Sequence, residues 1–222
     1  TMVPVGIETF EFADGTTLTQ ADLVARGFDL IGTAGNDTLN GSETYRTIYG
    51  LDGDDFLTGG NIDNVIHGGQ GRDVMFGNGG SDQLLGGVGD DVIQAGAGKD
   101  VLNGEAGNDS LEGESGDDVL DGGAGNDQLS GGEGADQLFG GEGDDFIVTD
   151  AEDTVRDGGA GIDTISFQGV FGLTFDLGTS NFEHANGTEG DDTLTAASAV
   201  GPVQLFGNGG SDTLTGGVGD DV

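Results

Sequence analysis

Gly122-Gly123-Ala124-Gly125-Asn126-Asp127-Gln128-Leu129-Ser130 is the stretch that decides how this chain folds. Its first six residues have the chemistry of a turn, because glycine reaches backbone conformations closed to other residues and lets carbonyl oxygens converge without a Cβ in the way. The last three, Gln128-Leu129-Ser130, read as a very short strand whose middle side chain faces one way and whose neighbours face the other.

Outward from this stretch, the nine-residue period runs unbroken from Gly32 to Val148 and makes thirteen units. Position one is Gly except at Ala95, and position four is Gly except at Thr44 and Ile62. Position six is Asp at Asp37, Asp55, Asp73, Asp82, Asp91, Asp100, Asp109, Asp118, Asp127, Asp136 and Asp145, with only Arg46 and Asn64 departing. Position eight is aliphatic or Met in every unit, from Leu39 through Met75 to Ile147. One apolar residue per unit points inward, so two units make an eighteen-residue coil in which two parallel strands face each other across a single layer of Leu, Ile and Met. The expected fold is an all-β, flattened roll.

Composition agrees. Of 222 residues, 49 are glycine and only 33% are hydrophobic, so any core must be thin and regular. Asp and Glu number 42 against 5 Lys and Arg, a net charge of -37. At that density a chain without counterions repels itself and resists compaction. Nucleic acid is a poor partner for a chain with so few cationic side chains, whereas metal cations fit the balance. There is no cysteine, so disulfides and thiolate metal sites are excluded and any staple must be ionic. No run of eighteen apolar residues and no amino-terminal export signal is present, and the last residues stop inside a repeat, which reads as a fragment of a longer exported chain.

The units resemble the repeats-in-toxin (RTX, haemolysin-type) family, whose pattern is Gly-Gly-x-Gly-x-Asp-x-aliphatic-x; Gly122 to Ser130 fits every position. The resemblance implies a right-handed parallel β-roll (β-solenoid) that binds several Ca2+ ions between turns stacked on one side, each site shared by units eighteen residues apart. One stack is then Asp37, Asp55, Asp73, Asp91, Asp109, Asp127, Asp145 and Asp163; the other is Arg46, Asn64, Asp82, Asp100, Asp118 and Asp136. By the same column, Asp192, Asp212 and Asp221 join the metal candidates. The resemblance also implies that carbonyls at positions one and three are ligands, such as Gly68, Gln70, Gly86, Val88, Gly104, Ala106, Gly122, Ala124, Gly140 and Glu142. Two carboxylates and about four carbonyls complete a shell of roughly six oxygens, which calcium accepts. Calcium is expected to be missing between Arg46 and Asn64. There the Arg46 guanidinium either substitutes for the cation or points to solvent.

Four segments are expected. Residues 1–31 form a small cap, with Glu8-Thr9-Phe10-Glu11-Phe12 in strand alternation, a turn at Ala13-Asp14-Gly15, and a helix whose capping box starts at Thr19 and Asp22. Phe12 to Thr16 followed by Ala21-Asp22-Leu23 resembles the segment that often precedes such arrays. Residues 32–148 form the main roll. Residues 149–186 hold a degenerate unit around Asp153-Thr154-Val155 with one inserted residue, a well-formed unit from Gly158 to Ser166, and an alternating strand from Gly172 to Gly178. Residues 187–222 begin a second array, with an apolar linker from Ala196 to Phe206.

Catalysis is not expected. The two histidines, His67 on an outward strand position and His184 in a loop, read as solvated side chains. No zinc-protease or nucleophile-elbow motif exists. Carboxylate pairs at glycosidase spacing recur with the repeat and need no catalytic explanation. Matches to a dinucleotide-binding glycine motif lack the alternating strands and helices that fold requires. An ice-binding solenoid needs a threonine ladder, and among the outward positions of the repeats Thr-x-Thr occurs only at Thr193, Thr195 and Thr213, Thr215. Outward Phe56, Val65, Val74, Phe76, Phe139 and Phe146 form a partner-binding patch, pack on the rest of a parent protein, or merely favour strand. The reading is a calcium-binding structural module of a secreted or cell-surface bacterial protein, folding on calcium after type I secretion. The alternative is the folding and secretion tail of an exported protease, lipase or polysaccharide epimerase. Expected partners are calcium and the rest of a larger polypeptide, with other copies or a surface matrix as further possibilities.

Overall fold

The computed structural model describes residues 9–11, 17–19, 28–41, 45–169, 172–197, 199, 201–218 and 221. The expected cap helix over Leu23 to Arg26 and the turn at Ala13-Asp14-Gly15 lie outside them. Within the cap, Thr9–Glu11 pairs antiparallel with Thr17–Thr19.

From Phe28 onward the chain is a parallel β-solenoid. Successive strands alternate between two sheets, one of ten strands running from Thr38–Asn40 to Gln204–Phe206 and one of eight from Phe28–Ile31 to Val155–Ala160. Every pairing in the array is parallel and in register at eighteen residues: Ile93 lies beside Met75 and Leu111, and Leu102 beside Leu84 and Leu120. The position-eight column is the core. Residues such as Ile66, Met75, Leu84, Ile93 and Leu120 have no exposed surface, and together they form the single apolar layer between the sheets.

The strands are longer than the three residues read from the repeat. Val92–Ala97 spans the last three positions of one unit and the first three of the next, and its neighbours do the same. Glycine at the first positions leaves the coils close enough for the ladder to continue, so each turn contracts to about three residues. The residues outward of the core are less exposed than the alternation implied. Phe56 and Phe146 are exposed, but Val65, Val74, Phe76 and Phe139 are half-buried by cross-strand neighbours, Phe76 by the Phe56 ring at 5.5 Å. His67 is half-buried against Tyr49, with stacked rings 4.8 Å apart. His184 is not in a loop: it begins the strand His184–Asn186, with Nδ1 3.4 Å from Thr164 Oγ1.

Beyond Val148 three features differ from the sequence reading. Asp153 takes the column place one residue early, and Thr154 is then the extra residue before the strand. Thr154 donates its N–H to Asp136 O at 2.9 Å, and Val155 recovers the pairing with Gln137. The strand read from Gly172 to Gly178 is shorter, Thr174–Asp176, followed by a 3-10 turn at Leu177–Thr179, although Leu173, Phe175 and Leu177 all pack on the core as expected. The segment read as a linker supplies a strand, Gln204–Phe206, which pairs with His184–Asn186 and buries Val203 and Leu205; coils here are twenty residues long.

The ten-stranded sheet therefore runs through both arrays, whereas the opposite face breaks after Val155–Ala160 and resumes as the three-stranded sheet of Thr174–Asp176, Thr193–Thr195 and Thr213–Thr215. At the break Arg156 stands in the core column beside Leu138. Its guanidinium lies 5.6 Å from the Phe167 ring centre and 6.0 Å from that of Phe175, over a cavity of about 350 Å³. Nε donates to Thr149 Oγ1 and Nη2 to Asp150 O, which satisfies a charge in an otherwise apolar layer.

Candidate metal centre

The position-six aspartates sit where the chain enters each strand, and their side chains turn inward beneath the turns. Asp73, Asp91, Asp109, Asp127 and Asp145 in one row, and Asp82, Asp100, Asp118 and Asp136 in the other, are all at most 2% exposed. Each Oδ1 accepts the backbone N–H of the column residue one coil earlier: Asp73 from Asp55 at 2.8 Å, Asp91 from Asp73 at 2.8 Å, Asp127 from Asp109 at 2.7 Å, Asp118 from Asp100 at 2.8 Å, and Asp82 from Asn64 at 2.7 Å. One carboxylate oxygen is thus committed to tying coil to coil.

The other oxygen has no such partner. Oδ2 of eleven aspartates (the nine above with Asp55 and Asp163) is buried and accepts no hydrogen bond. Buried polar atoms are ordinarily satisfied, and a regular series of exceptions marks a missing ion. What surrounds these oxygens is informative. A Cβ built on Gly68 would lie under 3.0 Å from both Asp73 Oδ2 and Gly86 O, and the same holds for Gly86, Gly104 and Gly122 with their own aspartate and the next coil's carbonyl. Glycine at position one leaves open the space between a carboxylate oxygen and a carbonyl oxygen, and only at Ala95 does this position carry a Cβ within the array. A seat lined by acceptors and lacking donors fits a hard cation held by oxygen.

Of the position-one and position-three carbonyls singled out in the sequence, the structure brings Gly68, Gly86, Gly104, Gly122 and Gly140 O to these seats, Gly68 O to the one beside Gly50 and Asp55 Oδ2. Position-three carbonyls face the ladder: Gln70, Val88, Ala106, Ala124 and Glu142 O accept the N–H of Gly53, Gly71, Gly89, Gly107 and Gly125 at 2.7–2.9 Å. Among the described residues no three His, Cys, Asp or Glu side chains cluster as a metal site, so a cation seated in the column draws on backbone carbonyls as well.

Burial drives the electrostatics. Desolvation pushes the column carboxyls up, to about 7 at Asp82, Asp91 and Asp118 and about 6 at Asp73, Asp109, Asp127 and Asp163. The N–H received from the preceding coil opposes the rise, and neighbouring carboxylates add to it. Without a cation these side chains are driven toward the protonated state.

Other candidates fall outside this pattern. Arg46 is exposed, in the strand where the register slips between Phe28 and Asp29. Asn64 is buried and its Oδ1 accepts the N–H of Gly60 at 2.8 Å. Asp192 Oδ1 accepts the Leu173 N–H at 2.8 Å, and Asp212 Oδ1 that of Asp192 at 3.0 Å. Asp221 is exposed, and its Oδ1 accepts the Val203 N–H at 3.2 Å.

Position five was passed over as variable, yet it carries a second ladder. Asn36, Asp54, Asp90, Asn108, Asn126 and Asp144 each accept, through Oδ1, the N–H of the position-five residue one coil later, at 2.8–3.1 Å. It runs opposite to the position-six ladder. The signal in the sequence is the recurrence of Asn or Asp before the column Asp at every second unit.

Fold and column together define a β-roll of the calcium-binding kind: a solenoid whose turns present rows of unsatisfied oxygens. The sequence model of the RTX calcium-binding nonapeptide repeat matches residues 29–44, overlapping copies from 49 to 154, and residues 177–198 and 201–222, and the chain belongs to this family. No curated protein matches it. Among the described residues no helix is long and apolar enough to cross a membrane.

Proposed function

We propose that this chain is a calcium-responsive structural module of a secreted or cell-surface protein, in which the position-six aspartates hold the ions that fix the roll. The observation that carries this reading is the series of eleven buried Oδ2 atoms without a hydrogen-bond partner. An unsatisfied buried acceptor costs about 1–3 kcal/mol, so eleven together match or exceed the roughly 5–15 kcal/mol that holds a domain folded. The ion-free roll at neutral pH is therefore not a stable state.

Asp55, Asp73, Asp91, Asp109, Asp127, Asp145 and Asp163 in one row, and Asp82, Asp100, Asp118 and Asp136 in the other, supply the carboxylate ligands. The position-one carbonyls of Gly68, Gly86, Gly104, Gly122 and Gly140 face the same seats, and the position-three carbonyls each keep a second lone pair for the ion. Bound calcium supplies positive charge and an oxygen-coordinating centre that joins adjacent turns. The chain's own contribution is to hold carbonyls and carboxylates at fixed spacing, with Oδ1 of each aspartate occupied by the preceding coil so that only Oδ2 turns to the ion.

Sites of this extracellular kind bind at about 0.1–1 mM, so the chain stays unfolded at cytosolic calcium and folds outside. That behaviour suits export through a narrow channel, and it supports secretion of the type I kind. A structural role in a large adhesin or surface protein fits a chain in which the repeats run from 32 to 148 and resume from 187; a tail that folds an exported enzyme is the second reading. Isothermal titration calorimetry at pH 7.5 tests the metal assignment. Calcium gives multi-site binding, and magnesium at the same concentration gives none. Equal binding of both ions, or of neither, overturns it.

A further inference from the structure

The column aspartates fall into two groups that the repeat pattern does not distinguish. Eleven have an unpartnered Oδ2, whereas at Asp37, Asp153 and Asp192 the turn closes on that oxygen. Asp37 Oδ2 accepts from Thr33 N at 2.5 Å and Thr33 Oγ1 at 2.9 Å. Asp192 Oδ2 accepts from Thr188 N at 2.6 Å and from Thr188 Oγ1 at 3.3 Å. Asp153 Oδ2 accepts from Thr149 Oγ1 and from Asp150 N at 2.9 Å. In all three the residue four before the aspartate is threonine, and at none of the eleven open positions is it threonine.

The backbone gives a second, independent distinction. At every open aspartate the residue four before it has positive φ, from 70° at Glu105 and Glu114 to 120° at Gly69, whereas Thr33, Thr149 and Thr188 are not among the positive-φ residues. A β-branched residue is strongly disfavoured in the left-handed region. Threonine there keeps the turn in the other conformation. At Thr33 and Thr188 its N–H and hydroxyl then both reach the carboxylate; at Thr149 the hydroxyl does so, joined by the N–H of Asp150. The turn of Asn64 behaves consistently: Gly60 is not among the positive-φ residues, and its N–H donates to Asn64 Oδ1.

The three closed turns also share a location. Asp37 opens one row. Asp153 is the last aspartate of the other row before Leu173 takes the column place, and Asp192 is the first after it. A carboxylate at such an end has an aspartate neighbour in the column on one side only.

We propose that Thr33, Thr149 and Thr188 close their turns on Asp37, Asp153 and Asp192, withholding those carboxylates from calcium and so limiting one row of ions before Asp55 and the other after Asp136. This rests on the calcium reading above. It removes Asp37 and Asp192 from the ligand set that the repeat pattern alone suggests, and it places these limits in threonine, whereas the open ends at Asp82 and Asp163 adjoin Asn64 and Glu183 in the column.

The test is a crystal structure of the chain grown in calcium, with ions located by anomalous scattering. Ions beside open aspartates such as Asp91 and Asp127 but none touching the Asp37, Asp153 or Asp192 carboxylate is the expected result. An ion on any of those three overturns the inference while leaving the calcium reading intact, and a structure with no ions anywhere overturns both. Native mass spectrometry of Thr188→Gly and Thr188→Val tests the cause. T188G, free to adopt positive φ, gains one calcium over the parent chain; T188V, still β-branched and still donating its N–H, gains none. An unchanged count in T188G refutes the role given to threonine.

Discussion

Replacing Asp127 with Asn separates the two jobs given to a column aspartate. Asp127 is 1% exposed; its Oδ1 accepts the Asp109 N–H at 2.7 Å, and its Oδ2 is unpartnered. Asn keeps an Oδ1 acceptor of the same shape and converts only the unpartnered oxygen, next to Gly140 O, into an NH2 donor. If the side chain serves only the inter-coil hydrogen bond, D127N is neutral or even stabilising. If Oδ2 is a cation ligand, the variant leaves a buried ion short of its counter-charge, a loss of about 3–5 kcal/mol by analogy with broken buried ion pairs. With a urea dependence of about 2 kcal/mol per molar, that lowers the unfolding midpoint by about 2 M in saturating calcium. Urea unfolding followed by far-UV circular dichroism reads this, with Asn126→Ala, one residue away and exposed, as a control that changes stability by about 1 kcal/mol or less. A D127N chain within about 1 kcal/mol of the parent in calcium refutes the ligand role of Oδ2.

Other expectations follow from the same geometry. Leu120→Ala empties part of a one-layer core with no exposed surface at that residue, and costs about 2–5 kcal/mol in calcium-saturated urea unfolding. Gly122→Ala puts a Cβ under 3.0 Å from both Asp127 Oδ2 and Gly140 O, so a calcium titration shows a higher folding midpoint; an unchanged midpoint contradicts the seat described here. In excess chelator the pH dependence has a definite sign. Folded column carboxyls at about 6 to 7 lie above the ordinary 3.8, so the ion-free roll binds more protons than the unfolded chain. Its stability is greatest below about pH 4 and is lost as pH rises through 6 to 7; β signal in chelator that grows from pH 4 to pH 8 contradicts this. Arg156→Ala removes the guanidinium that binds Thr149 and Asp150 and speeds hydrogen exchange around residues 149–176, leaving Val92–Ala97 unchanged.

The roll itself was legible because its determinants are local and repeated: a recurrent glycine, a recurrent aspartate and one aliphatic residue or Met in every nine set the same inward side chain from unit to unit. Strand length was not legible, since glycines that look like turn residues continue the ladder once coils stack, a consequence of neighbours eighteen residues away. For the same reason Gln204–Phe206 reads as a linker until Val203 and Leu205 find the end of the core. Arg156 at a core position is invisible to a pattern that expects Leu, and only the aromatic rings of Phe167 and Phe175 explain it. Within the column, the aspartates were visible but not their differences: Asp37 and Asp127 have the same repeat position, and the residue four earlier decides which oxygen is left open.

The most direct measurement is far-UV circular dichroism of the chain titrated with calcium from excess chelator at pH 7.5, with magnesium in parallel. A cooperative gain of β signal at about 0.1–1 mM calcium, absent with magnesium, is the predicted result. A chain already fully folded in chelator at that pH contradicts the claim that the aspartate rows need a cation to hold the roll together.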